Sequence, residues 1–321
     1  MSRAEADVAT GTDAGAGAPA AGAGPAAETP GTPEGSGTPT ASRTARALWS
    51  LGLFRGELRI VFRRWRTAAL LGVLAAIPVL VGIAVKFQTR GDRQGAGDGP
   101  AFIADVTNNG LFLVFTSLAV TLPFFLPMAV GVVAGDSVAG EANAGTLRYL
   151  LVAPAGRTRL LLTKYATVLV FCGVATLVVA LAALATGAAL FPFGDVTLIS
   201  GQTVSLGDGL LRALAIAGVV AVSLVGIAAL GLFVSTLTDS AIAAMATTVG
   251  VLLTVQILGA VPQLHAVQPY LFPHYWMSFA DLLRAPAIGS AIARNAGLQA
   301  LYAAVFVSAA WARLTTRDVT A

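Results

Sequence analysis

Charge and reactive side chains are what this sequence has least of. Asp, Glu, Lys and Arg make up 11% of its 321 residues, and there are only two lysines, two histidines and one cysteine. A single cysteine excludes an internal disulfide and a cysteine-rich metal centre. Cys172 stands inside an apolar run and reads as a small buried hydrophobe. His265 and His274 have no Cys or acidic pair at ligand spacing, so no metal site is expected. No segment fits G-x-x-x-x-G-K-S/T, the loop whose amides cradle phosphates, and neither Lys86 nor Lys164 follows a glycine. The chain is therefore not expected to bind ATP in the usual way. No Asp, Glu or Lys falls near the middle of an apolar run, which disfavours ion-driven secondary transport. The Ser, His and Asp residues form no nucleophilic arrangement, so the chain reads as non-catalytic.

What is abundant is aliphatic. The hydrophobic fraction is 56%, against the roughly 45 to 50% of a soluble domain, and the mean hydropathy is +0.79. These values define an integral membrane protein. A length of 321 residues allows some six crossings of about 20 residues each. It leaves no room for a separate soluble ATPase domain. The formal net charge of +4 comes from basic residues clustered beside the spans, which mark topology, so no nucleic-acid partner is expected.

In chain order, residues 1–42 are Ala, Gly, Pro, Thr and Glu without apolar periodicity, and a disordered cytoplasmic tail is expected. Its acids, Glu5, Asp7 and Asp13, are unlike the basic start of a secretory signal. From Arg46 to Arg66, Leu51, Phe54, Leu58, Val61, Phe62 and Trp65 form one stripe and Arg55, Arg59, Arg63 and Arg66 another. That pattern predicts a basic helix lying in the membrane surface, its apolar face in the acyl boundary and its arginines on anionic lipid headgroups.

Six spans are predicted at about 67–85, 110–134, 165–191, 210–234, 241–261 and 296–312. The second carries Pro123 and Pro127, and a bend or break is expected there. The fourth and fifth are joined by the short turn Ser235–Ser240 and must be antiparallel neighbours. On the fifth, Thr247, Gly250 and Thr254 share one face with Gln256 nearby. Such a face either packs helices through small residues or lines a substrate path. With Thr116 and Thr121 of the second span, Thr247, Thr254 and Gln256 are the candidate lining. Between the last two spans, Tyr275, Trp276, Phe279, Leu282 and Leu283 predict a short helix with an aromatic face on the outer interface, stopped by Pro286.

Between the second and third spans lies a polar island, Gly135 to Lys164, whose charges are expected to sit in water. Asn143 is a good N-cap, Pro154 a stop, and Leu147, Leu150 and Leu151 fall on one face with Arg148 turned away. A short amphipathic helix over Ala144–Leu151 is predicted, roughly 12 Å long and suited either to a groove on a partner or to anchoring the loop at the interface. With six spans, this island shares one side of the membrane with Arg55–Arg66, Arg313 and Arg317. The other basic residues, Lys86, Arg90, Arg93, Arg212, Arg284 and Arg294, are offset by acids. The positive-inside rule then places both termini and the island in the cytoplasm.

The run of an acidic residue and Gly, then Glu141, Gly145-Thr146-Leu147, Leu150-Leu151, Pro154, Arg157 and Lys164 resembles the membrane subunit of ABC-2 type ABC transporters. The resemblance covers about 46–317. It implies an all-α integral membrane protein with six transmembrane helices and an N-terminal interfacial elbow helix (Phe54, Arg55, Leu58, Arg59, Phe62, Arg63, Trp65). It also implies a cytoplasmic coupling helix between the second and third spans, and a short extracellular helix between the fifth and sixth. The coupling helix, with Glu141, Gly145, Thr146, Leu147, Arg148, Leu150, Leu151, Pro154 and Arg157, would dock on a separate ATP-binding subunit. The implied assembly holds two such subunits, which carry ATP and Mg, and a second permease chain, identical or related. It sits in the bacterial cytoplasmic membrane and moves a substrate, most often outward. An ABC-2-like permease for metallocofactor maturation, or a non-transporting anchor for a soluble partner, are the alternatives.

Overall fold

The computed structural model describes residues 43–91, 109–145, 156–192, 194, 196–197, 202–284 and 289–316. The helices are α1 (Arg43–Arg63), α2 (Trp65–Gly91), α3 (Phe112–Thr121), α4 (Phe125–Asn143), α5 (Arg157–Leu190), α6 (Leu206–Ser223), α7 (Val225–Leu237), α8 (Ala241–Ala260) and α9 (Ser290–Thr316). An antiparallel pair, β1 (Val196–Thr197) and β2 (Thr203–Val204), precedes α6, with Val196 opposite Val204. Short 3-10 turns at Pro262–Leu264, Gln268–Tyr270 and Trp276–Leu283 fill the connection from α8 to α9.

Among the described residues, six helical segments are long and apolar enough to cross a membrane: Trp65–Phe87, Phe125–Asn143, Arg157–Leu190, Leu206–Leu237, Ala241–Ala260 and Ser290–Thr316. Burial sorts them into layers. The Phe125–Asn143 and Leu206–Leu237 windows are 56% and 61% buried, whereas Trp65–Phe87, Ala241–Ala260 and Ser290–Thr316 reach only 22%, 22% and 17%. So α4 and α6–α7 form the centre, and α2, α8 and α9 present apolar faces outward, where Val73, Leu80, Ile242, Ile257 and Leu301 are exposed. A body whose outside is aliphatic suits lipid, since its backbone groups are satisfied within helices.

The second span breaks where its prolines predict. The chain leaves α3 at Thr121 and re-enters helix at Phe125. Pro127 has no N–H to give the carbonyl four residues back, that of Pro123. The Gln256 side-chain amide of α8 donates to that carbonyl instead. The fourth span also breaks, at Leu224. There Gln299 Oε1 of α9 accepts the Gly226 N–H at 3.1 Å, and Tyr165 donates its hydroxyl to the Val225 carbonyl at 3.2 Å. Gln299 also donates to the Phe272 carbonyl at 2.8 Å, and Asn295 to Ser223 Oγ at 2.7 Å. Both amides are buried, and they tie α9 to the break and to the 3-10 region.

Three predicted features are corrected. Helix α4 runs past Ala134 to Asn143, and α5 begins at Arg157 rather than near Tyr165. Much of the polar island is therefore the ends of two spans, because a helix keeps its ladder beyond the apolar stretch that hydropathy marks. Asn143 does not start a helix. It is the last residue of α4, and Ala144 and Gly145 close that helix with N–H bonds to the Gly140 and Ala142 carbonyls. The aromatic segment is a 3-10 helix, Trp276–Leu283, packed inward, with Trp276 only 2% exposed and Phe279 and Leu283 also buried. Pro286 lies outside the described residues.

Close helix contacts rest on small residues. A Cβ built on Gly187 of α5 would lie 2.3 Å from the Gly110 carbonyl oxygen, where Asn109 and Gly110 pin the start of α3 to the end of α5. Gly187→Ala is expected to lower the unfolding midpoint in detergent, at a cost of about 1–3 kcal/mol. Gly173→Ala, on the same helix with nothing within 4 Å of the added methyl, is expected to leave it unchanged or slightly raised.

Candidate functional site

The span directions bring one set of helix ends together. Helices α2, α5 and α8 start at this end of the bundle, and α4, α7 and α9 finish there. Polar contacts confirm the gathering. Arg157, the first residue of α5, donates to the Leu314 and Thr315 carbonyls at the end of α9, at 3.2 and 2.9 Å. Trp311 Nε1 donates to Thr158 Oγ1 at 2.8 Å. Ser235, at the end of α7, accepts the N–H groups of Val138 and Ala139 and donates to the Gly135 carbonyl at 2.6 Å.

At the centre of this end sits Lys164. It lies two turns into α5, on the face that carries Leu160, Leu161, Val168 and Phe171, and is 3% exposed. Its ammonium lies 3.3 Å from Glu57 of α1 and 2.5 Å from Glu141 of α4. Glu57 is 7% exposed and Glu141 half-buried. A third carboxylate, Asp136, one turn back on α4, is paired with Arg64 at the corner between α1 and α2. These five residues line a cavity of about 40 Å³ together with Val61, Thr67, Leu70, Val133, Thr167, Val168 and Met245. An unpaired ammonium could not remain in such a place, and its two carboxylates are what make the burial tolerable.

Helix α1 is thereby fastened to the spans. Glu57 shares its face of α1 with Phe54, Leu58, Val61 and Phe62, and that face turns toward the bundle. Val61 and Phe62 pack on the core, with the Phe62 and Phe171 rings 6.3 Å apart. The predicted apolar stripe thus spends part of its surface on α5 rather than on lipid. Arg55, Arg59, Arg63 and Trp65 are exposed, Trp65 at 76%.

Of the predicted coupling residues, Thr146, Leu147, Arg148, Leu150, Leu151 and Pro154 lie outside the described residues. Those that bracket them are described. Gly145 and Gly156 have φ of 69° and 75°, conformations that glycine adopts without strain, and they mark where the chain leaves α4 and enters α5. Glu141 and Arg157, expected to face a partner, are engaged with Lys164 and with α9. Lys164, expected in water, is buried. The candidate lining residues lie on two helices, Thr116 and Thr121 on α3 and Thr247, Thr254 and Gln256 on α8. Thr121 is buried and bonded to the Ser117 carbonyl at 2.7 Å, Thr116 to that of Phe112 at 3.0 Å, and Gln256 holds Pro123. Thr247 and Thr254 lie on the exposed side of α8, opposite the buried Ala244, Thr248 and Leu252.

Sequence reasoning missed Glu57, Arg64 and Asp136. A signal existed for two of the ion partners. Glu57 interrupts the apolar stripe of α1, and Lys164 that of α5, each at helical spacing. Charges of opposite sign inside two apolar stripes point to a buried pair.

The fold and this end define a class: a multi-pass, α-helical membrane protein of six spans whose first helix, α1, is ion-paired to its interior. More particularly, the chain matches the family described as protein of unknown function (DUF2705) over residues 80–320 and belongs to it. A search of curated proteins finds no match.

Removing the ammonium alone is expected to be severe. Lys164→Met removes the ammonium that Glu57 and Glu141 share and is expected to cost about 3–5 kcal/mol. Adding Glu57→Leu and Glu141→Leu to that variant is expected to recover most of the loss. The unfolding midpoint in detergent for single and triple variants measures both effects.

Proposed function

We propose that this chain is the permease subunit of an ABC-2 type ABC transporter. In this reading it sits in a bacterial cytoplasmic membrane with both termini in the cytoplasm. It pairs with a second permease, identical or related, and with two ATP-binding subunits that hold ATP and Mg. The chain itself hydrolyses nothing.

One observation carries the reading. Residues 146–155, which hold most of the coupling motif, connect the end of α4 to the start of α5, and α1 and the end of α9 come to the same end of the bundle. A helix docked on an ATPase at that point has direct purchase on two spans. Described residues at that end include Arg55, Arg59, Arg63, Arg64, Arg66, Arg157, Arg159 and Arg313, as the positive-inside rule asks of a cytoplasmic face. ATP-driven closure of two ATPases then draws two such segments together and rocks α4 and α5 as rigid rods. Export is the direction that the family resemblance favours.

Leu147→Asp combined with Leu151→Asp is expected to abolish copurification with the ATPase while leaving the chain folded and monodisperse. Persistence of the complex in that variant refutes the docking role, and ATP hydrolysis by the purified chain alone refutes the assignment.

A further inference from the structure

At the corner between α1 and α2, a cavity of about 310 Å³ opens among Arg64, Trp65, Arg66, Asp136, Gly140, Asn143 and Ala241. Its walls carry two arginines and one carboxylate. Arg64 is committed to Asp136. Arg66 is exposed and makes no ion pair among the described residues, so its guanidinium is open to a ligand. Asp239, in the turn before α8, is not part of the wall.

The surroundings are those of a membrane surface. Trp65 is 76% exposed at the first residue of α2, and tryptophan favours the headgroup level. The exposed Asn143 amide on the opposite wall can also donate. The cavity shares Arg64, Arg66 and Asp136 with the crevice that runs inward past Leu70, Val132, Val133 and Met245. On either side, Val73 of α2 and Ile242 of α8 offer exposed apolar surface, at 57% and 77%. Polar cavity and apolar flanks thus follow one another in the order of a phospholipid's parts.

We propose that this corner is a binding site for one anionic membrane phospholipid. Its phosphodiester is held by Arg66 and Asn143 beside Trp65, and its acyl chains run along α2 and α8. A headgroup with one net negative charge matches the open guanidinium of Arg66. A zwitterionic headgroup brings its own cation against Arg66 and gains less. The site requires no ATPase partner.

The test uses the purified full-length protein, delipidated in neutral detergent and read by native mass spectrometry. Phosphatidylglycerol and phosphatidylcholine with the same acyl chains are titrated separately. One phosphatidylglycerol is expected to stay bound per chain at concentrations where phosphatidylcholine does not. Arg66→Gln is expected to weaken phosphatidylglycerol binding roughly five- to tenfold. Arg66→Lys is expected to keep most of the preference, and Arg294→Gln, exposed on α9, all of it. Millimolar inorganic phosphate is not expected to displace the lipid. Equal retention of the two lipids, or unchanged phosphatidylglycerol binding in Arg66→Gln, overturns the site. Displacement by phosphate identifies a soluble anion as the occupant and overturns the lipid assignment.

Discussion

The ammonium of Lys164 cannot be moved without moving two carboxylates that belong to different helices. Glu57 approaches it from α1 and Glu141 from the last turn of the second span, so one side chain fixes three elements at once. In a low-dielectric interior this constraint acts through penalty more than through attraction. Separating the charges would leave desolvated charge without its main counter-ion. The arrangement therefore sets position more than it adds net stability, which is why it belongs where helix ends must keep a fixed relation. Arg64 and Asp136 repeat the device one turn away, at the corner where α1 meets the first span.

The same rule, that a polar group among aliphatic side chains must find a partner, governs the backbone of the spans. Two spans are broken, and in both cases a side chain from another helix takes the freed group. Gln256 serves the Pro123 carbonyl, and Gln299 and Tyr165 serve Gly226 and Val225. Ser235 works differently, placing its hydroxyl against the backbone of α4 between Gly135 and Ala139. Each such bond joins a helix to its neighbour where an aliphatic contact would leave the two free to slide. This accounts for the burial of Asn295 and Gln299 on α9, a helix otherwise turned mostly outward.

Much of this was legible in the sequence because its strongest signals are simple. Runs of Leu, Val and Ala give the number of spans, Pro123 and Pro127 give the break, and the short turn before Ala241 gives the antiparallel pair. The break at Leu224 was not legible. No proline marks it, Ser223 and Gly226 are common inside spans, and the groups that hold it, Asn295 and Gln299, lie far along the chain. Helix ends were misjudged for a related reason. Hydropathy falls off at Ala134 and rises again near Tyr165, while the backbone ladder continues through charged residues that pair with one another. Glu141, Arg157 and Lys164 looked like solvated charge because each was weighed alone. Glu141 and Lys164 pair with each other, and their further contacts, Glu57 in α1 for Lys164 and the last carbonyls of α9 for Arg157, are distant in sequence.

This pairing bears on how motion can pass through the molecule. A force applied at 146–155, whatever its source, acts on the ends of α4 and α5, which Glu141 and Lys164 hold to each other. It then reaches α1 through Glu57, and α9 through the Arg157 guanidinium on the last carbonyls of that helix. Aliphatic packing alone would let these ends shift by fractions of a turn at small cost. Ion pairs of fixed partner allow either the whole set to move together or a concerted exchange of partners. A concerted exchange has near candidates, since Arg64, Asp136, Glu57, Glu141 and Lys164 all border one cavity. Elements held by such pairings shift between discrete arrangements rather than deforming smoothly.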